Sequence, residues 1–171
     1  MENMFWIEEQ FLLVDKLFGE GEFAQGKRLL EEILEQEPGF GRAHNHLGWL
    51  YYAKLDDYEK AAYHLKLAIK FSPGYPAGFL NYTYLLNYLN RHADLLVHAK
   101  EALKVEGVSK SVIYLEMGKS YEVNGFYKEA VKAYTEAKRY SLSNAELTQI
   151  EEGLERVNTK VARFSKKFFS F

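Results

Sequence analysis

The sequence predicts an all-α fold, an α-solenoid of four helical hairpins closed by a C-terminal capping helix. Three observations carry that prediction. First, four stretches share one punctuation of turn, apolar and small residues: Gly21 to Ile33, Asp56 to Ala68, Asn90 to Ala102 and Gly125 to Ala137. Their corresponding residues Gly26, Ala61, Leu95 and Ala130 are spaced by 35, 34 and 35, and a fixed period in this range is the signature of stacked supersecondary units. Second, apolar residues recur at helical spacing, as in Leu29, Leu30, Ile33 and Leu34 or Leu95, Leu96, Ala99 and Leu103, while strand-like alternation is absent over any useful length. Third, the only prolines, Pro38, Pro73 and Pro76, stand between helical stretches and break none of them.

The elements follow in order. The first hairpin is expected at about 4–36, with helices 4–18 and 22–36, and stops at Pro38-Gly39. The second, about 41–71, has helices 41–54 and 57–71 and stops at Pro73-Gly74. Pro76 can open the third, about 76–105, with helices 76–90 and 92–105. The fourth, about 110–140, has helices 110–123 and 126–140. A ninth helix with its tail is expected over 144–171. Ser143 precedes Glu146 by three residues, the spacing of a capping box in which each side chain satisfies a free backbone N–H. Leu147, Ile150, Leu154 and Val157 give that helix one apolar stripe to lie on the fourth hairpin, and Glu151, Glu152, Glu155 and Arg156 give it a polar outer side. No linker rich in Gly, Pro or Ser divides the chain, so a single domain over 1–171 is expected.

These residues resemble the tetratricopeptide repeat. The second hairpin carries the pattern best, in Leu47-Gly48, Tyr51, Tyr58, Ala61, Leu65, Ala68 and Pro73, with one extra residue within the turn Ala53 to Asp56. The fourth is close behind, in Met117-Gly118, Tyr121, Gly125, Tyr127, Ala130, Tyr134 and Ala137. The first has Leu13-Val14 in place of Leu-Gly. The third departs most, with Tyr82-Thr83 at that pair and Leu95 where a small residue is expected. The resemblance covers about residues 7–142 and implies a right-handed solenoid whose small residues let helices approach while large ones fill the space between neighbouring hairpins. It also implies that the first helix of each pair lines a concave groove. The inward residues would be Glu8, Phe11, Leu12, Asp15 and Phe18; then Arg42, Asn45, His46, Trp49 and Tyr52; then Leu80, Asn81, Tyr84, Asn87 and Tyr88; then Leu115, Glu116, Lys119 and Glu122. Partner-binding residues are expected among Asn45, His46, Trp49, Tyr52, Asn81, Tyr84, Tyr88 and Lys119. Asn both donates and accepts, and aromatic side chains offer rigid contact area. The cationic clamp with which some relatives hold a C-terminal carboxylate is not matched, since its positions hold residues such as Phe11, Asp15 and Ala77.

Composition narrows the function. The 171 residues include no Cys, so disulfides, thiolate metal sites and thiol nucleophiles are excluded. A formal net charge of −2 argues against nucleic acid as a partner. No apolar run approaches a membrane span and the N-terminus lacks a basic leader, so a cytoplasmic protein without a membrane partner is expected. The five histidines form no HExxH or ExxH pattern, the acidic pairs read as solvated helix faces, and no phosphate loop or nucleophile elbow occurs. No catalytic residue, metal or cofactor is therefore expected. The expected function is a non-enzymatic interaction or scaffold module that binds a peptide or helix of a protein partner. The alternatives are a self-associating structural module and a regulatory or accessory subunit of an enzyme or assembly complex. The tail interleaves five cations with Phe164, Phe168, Phe169 and Phe171. It can pack on its own solenoid, form a homodimer contact or anchor to a membrane or partner.

Overall fold

A computed structural model describes the backbone of residues 2–168 and the side chains of residues 4–162. The described residues form nine helices and no strand: α1 (Glu2–Gly19), α2 (Phe23–Gln36), α3 (Gly41–Ala53), α4 (Tyr58–Phe71), α5 (Pro76–Tyr88), α6 (His92–Ala102), α7 (Lys110–Val123), α8 (Tyr127–Tyr140) and α9 (Asn144–Phe168). They fall into two compact units, residues 1–85 and 86–171, with α5 shared at its C-terminal end. The helices begin where the sequence places them, to within two residues. The clearest difference is α6, which stops at Ala102 instead of 105. There the N–H groups of Lys104 and Val105 turn back to the carbonyls of Glu101 and Ala102, tighter bonds that end the α-helix ahead of Gly107, whose φ is +76°.

One turn recurs four times. Gly21, Asp56, Asn90 and Gly125 all have positive φ, between 51° and 82°, and each stands two residues before α2, α4, α6 or α8. Glycine, Asn and Asp tolerate this left-handed geometry best, and these are the residue types found there. A backbone bond spans each turn: Glu22 to Leu17, Asp57 to Tyr51, Arg91 to Leu86 and Phe126 to Tyr121. It reaches back five residues in three turns and six in the second, so the one-residue insertion read from the sequence lies in the α3–α4 turn.

In residues 1–85 the core gathers Ile7, Phe11, Val14, Leu30, Ile33, Leu47, Leu50 and Leu65, all nearly inaccessible. α1 packs on α2 and α3 on α4. Gly48 sets the second of these approaches, because a Cβ there would stand 2.5 Å from Leu65 Cγ. In residues 86–171, α7 packs on α8 and both pack on α9. Leu115, Ala130, Tyr134, Ala137, Ile150 and Val157 form the core there. A Cβ on Gly118 or on Gly153 would come within 2.7 Å of the Tyr134 ring. Leu65 therefore fills space inside its own hairpin, whereas Tyr134 fills space both inside its hairpin and against the next helix. Large residues, expected between neighbouring hairpins, thus also fill space within a hairpin.

The start of α9 keeps half of the predicted capping box. Ser143 Oγ accepts the Glu146 N–H at 3.1 Å, but the Glu146 carboxylate accepts from Ser141 Oγ at 3.0 Å and does not turn back to Ser143. Ile150 and Val157 are buried and Leu147 and Leu154 half-buried, which is the predicted stripe. Arg156, predicted to be a solvated outer residue, instead bonds to Glu122 of α7. The side chains of Phe164, Phe168, Phe169 and Phe171 lie outside the described residues.

Candidate partner-binding surface

Phe18 of α1, Asn45, His46 and Trp49 of α3 and Asn81 of α5 surround a hollow of about 340 Å³. Each wall has a local cause. Trp49 lies 5.7 Å from the Phe18 ring and 5.9 Å from Phe23, with the Lys54 ammonium 5.9 Å above its face. His46 is held at both nitrogens, Nδ1 by the Arg42 carbonyl at 3.1 Å and Nε2 by the Asp15 carboxylate at 2.9 Å, while its edge packs on Phe11 at 4.7 Å. Asn81 Nδ2 donates to Asn45 Oδ1 at 2.9 Å, which joins the first helix of one hairpin to the helix that opens the next. An amide carries two donor hydrogens and an oxygen with two lone pairs, so this single bond uses one donor of Asn81 and one acceptor site of Asn45.

Of the residues expected in a groove, Asn45, His46, Trp49 and Asn81 thus meet in residues 1–85, with Asn45 itself only 4% exposed at the floor of the hollow. Tyr84 is 36% exposed and Leu12 is 68% exposed, and Tyr52 is half-buried. Phe11, expected inward, is only 4% exposed beneath His46, Phe40 and Arg42. The first row carries a polar bridge that the sequence reading missed: Glu8 pairs with Arg42, 34 residues on. In residues 86–171, Tyr88 is largely exposed and Lys119 bonds Glu116 at 2.6 Å, with Asn87 donating to the same carboxylate.

Two further residues expected in the groove are elsewhere. Leu115 is a core residue, and Glu122 is 6% exposed beneath α9. Glu122 accepts from Tyr134 Oη at 2.8 Å, from Lys160 Nζ at 2.8 Å and from two nitrogens of Arg156 at 3.1 and 3.2 Å. Burial by itself raises its carboxyl pKa, but the bonds from Arg156, Lys160 and Tyr134 overcome burial and hold it at about 2. The same contact, with burial, pushes the Tyr134 phenol above its ordinary range. The spacing of Glu122 to Arg156 is 34, as for Glu8 to Arg42, and Gly153 follows Gly118 by 35. Residues 144–157 therefore stand as the first helix of a further repeat. That periodicity was the available signal, hidden because α9 runs on without a turn.

A second polar feature lies in the α3–α4 hairpin. His44 and His64 meet through their Nδ1 atoms at 2.9 Å, and His44 Nε2 bonds the Pro38 carbonyl at 3.0 Å. A carbonyl only accepts, so His44 carries its proton on Nε2 and receives one from His64 Nδ1. Burial lowers the pKa of both, and for His64 the neighbouring His44 adds to it, leaving it at about 4. Lys27, Lys60 and Glu31 also face His64. Between pH 6.5 and 4 the unfolded chain takes up protons that the folded pair refuses, so stability falls as pH falls through that window. Thermal unfolding at about pH 7 and about pH 5 should show the wild type losing more stability than a His64→Gln variant. No group of three or more His, Asp or Glu among the described residues could hold a metal, and no described helix is long and apolar enough to cross a membrane.

The recurring left-handed turn, the small-residue contacts and the bridges between repeats define a repeat architecture, and its family follows from comparison. The sequence pattern of the tetratricopeptide repeat matches residues 11–76, which take in α2, α3 and α4. Those residues carry the tetratricopeptide repeat. In backbone fold the likeness to solved tetratricopeptide-repeat proteins extends along nearly all of the chain. A thermophilic tetratricopeptide-repeat protein of Thermus thermophilus superposes with a TM-score of 0.67 at 18% identity, covering 93% of this chain and 84% of that one. The pilF protein of Pseudomonas aeruginosa gives 0.78 at 15% identity, over 94% and 73%. YrrB, described as a tetratricopeptide-repeat protein with an unusual peptide-binding site, gives 0.71 at 14% identity, over 95% and 84%. At these identities the likeness concerns the fold, and the fold class is an all-α solenoid. No curated protein matches the sequence.

Proposed function

We propose that this protein, whose residues 11–76 carry the tetratricopeptide repeat, is a non-enzymatic interaction module. It binds a peptide or helical segment of a protein partner over the first-helix face of residues 1–85. The observation that supports this reading is the hollow itself, where the Asn45–Asn81 amide pair sits between the aromatic walls of Trp49 and Phe18. An amide pair can both donate to and accept from a peptide backbone, and an aromatic wall supplies rigid contact area with few rotors to freeze. Tetratricopeptide-repeat proteins bind protein or peptide partners, and YrrB, similar in fold, is described by its peptide-binding site.

The test is a peptide library displayed against the wild-type chain and a Trp49→Ala/Asn81→Ala variant. Selected peptides should bind the variant at least about tenfold more weakly, in line with losing a buried aromatic anchor. Both proteins should keep similar melting temperatures. Equal affinity for both would place the binding surface elsewhere.

A further inference from the structure

We propose that a hollow between α7 and α8 takes an arginine side chain from a protein partner. It lies within residues 86–171 and does not rest on the surface described in residues 1–85. The hollow measures about 190 Å³, with Tyr114 and Tyr121 of α7 and Ala133 of α8 among its walls. Glu129, Lys132 and Glu136 of α8 also line it. The two rings are held in place: Tyr114 stacks on Tyr140 at 5.9 Å, and Tyr121 meets His92 edge-to-face at 5.2 Å. Tyr114 and Tyr121 are seven residues apart, as are Glu129 and Glu136, so each pair spans about two helical turns, about 10 Å. Burial raises the pKa of both phenols, and a carboxylate adds to each, Glu136 for Tyr114 and Glu129 for Tyr121. A tyrosine ring with a carboxylate near it therefore stands at either end.

The second hairpin carries the same positions with the niche closed. Tyr51 and Tyr121 follow Gly48 and Gly118 by three residues, and His64 and Ala133 follow Ala61 and Ala130 by three. In that hairpin the His64 ring stacks on Tyr51 at 5.5 Å. Two of the chain's own cations lie over Tyr51, Lys60 at 5.3 Å and Lys27 at 5.8 Å from the ring centre. In α7–α8, alanine stands in place of His64, which opens the hollow, and Glu129 stands in place of Lys60. The aromatic face that seats a cation in one hairpin is thus kept in the other. Among the described residues no cation lies over Tyr114 or Tyr121. Lys132 is exposed and forms no ion pair with Glu129 or Glu136 among the described residues, and Arg139 reaches Glu136 only at 3.9 Å. The ring faces attract a cation and the two carboxylates add charge-assisted hydrogen bonds. Arginine suits such a slot because its guanidinium is planar, weakly hydrated and stacks on aromatic rings.

The test titrates the full chain with N-acetyl-arginine methylamide and with its citrulline analogue, which has the same shape and no charge. The ring signals of Tyr114 and Tyr121 are followed by NMR. The arginine probe should shift both rings saturably, and the citrulline probe should bind at least about threefold more weakly. Glu129→Gln/Glu136→Gln should weaken the arginine probe at least about threefold. Lys132→Ala should tighten it, because a like charge leaves the lining, and a gain of affinity separates charge recognition from a fault in folding. Arginine that leaves both rings unshifted overturns the proposal, and so does citrulline binding equally well, since the hollow would then read shape alone. A glutamine double variant that binds arginine as tightly as the wild type, or a Lys132→Ala chain that binds it no better, overturns it too.

Discussion

Replacing Tyr134 with alanine is expected to destabilise residues 86–171 by about 3–5 kcal/mol, the range for removing a fully buried large side chain. Tyr134 is wholly inaccessible, and its ring is the surface on which two helices close. A Cβ built on Gly118 of α7 would stand 2.7 Å from Cδ1 of the ring, and one built on Gly153 of α9 would stand 2.7 Å from Cζ. The ring cannot move aside for a methyl group without losing contact with one helix or the other. Gly153→Ala should therefore also destabilise, because its nearest neighbours are rigid ring atoms. In the Tyr134→Ala background the vacated space accepts that methyl, so the cost of Gly153→Ala should shrink or change sign. Denaturant unfolding of the wild type, both single variants and the pair gives the coupling directly. Additive losses would mean that the ring does not set the approach of α9.

Glu122→Gln is expected to cost on the order of 3 kcal/mol at about pH 7 and to remove most of the acid sensitivity below pH 4.5. The Glu122 carboxyl ordinarily titrates near 4.5 and is held at about 2 when folded. Above pH 4.5 both folded and unfolded chains carry the charge, and the bonds to Arg156, Lys160 and Tyr134 contribute in full. As pH falls from 4.5 towards 2 the unfolded chain binds the proton first, so the contribution is lost across that window. Stability measured from about pH 7 to about pH 2 should thus decline in two stages in the wild type. His44 and His64 act between 6.5 and 4 and Glu122 below them. His64→Gln should flatten the upper stage and Glu122→Gln the lower. A Glu122→Gln chain that keeps the wild-type slope below pH 4.5 would show that the carboxylate is not the group being titrated. Glu122→Ala should be worse than Gln, because it leaves the buried Tyr134 hydroxyl without its acceptor.

Much of the fold was legible in the chain because local chemistry dictates it. Gly21, Asp56, Asn90 and Gly125 repeat at 35, 34 and 35 because one left-handed turn closes each pair, and only a few residue types accept that turn cheaply. Pro38 and Pro73 end helices by removing a donor, an effect independent of the surroundings. The candidate surface was legible in part. Asn45, His46, Trp49 and Asn81 meet because they sit on one face of the first helices of successive hairpins, which periodicity reveals. Phe11, Leu115 and Glu122 share that periodicity and are nonetheless buried, because burial depends on which helix lies above.

The sequence by itself determined the helices, their turns, the repeat and the absence of thiol chemistry, all consequences of residue type and spacing along one chain. Tertiary structure alone decided which polar side chains became partners: His44 with His64, Glu8 with Arg42, and Glu122 with Tyr134, Arg156 and Lys160. Each of these joins groups from different helices within a few ångströms. A spacing of 34 can make such a meeting permissible, but only the packed backbone fixes the distance, excludes water and gives the bond its strength.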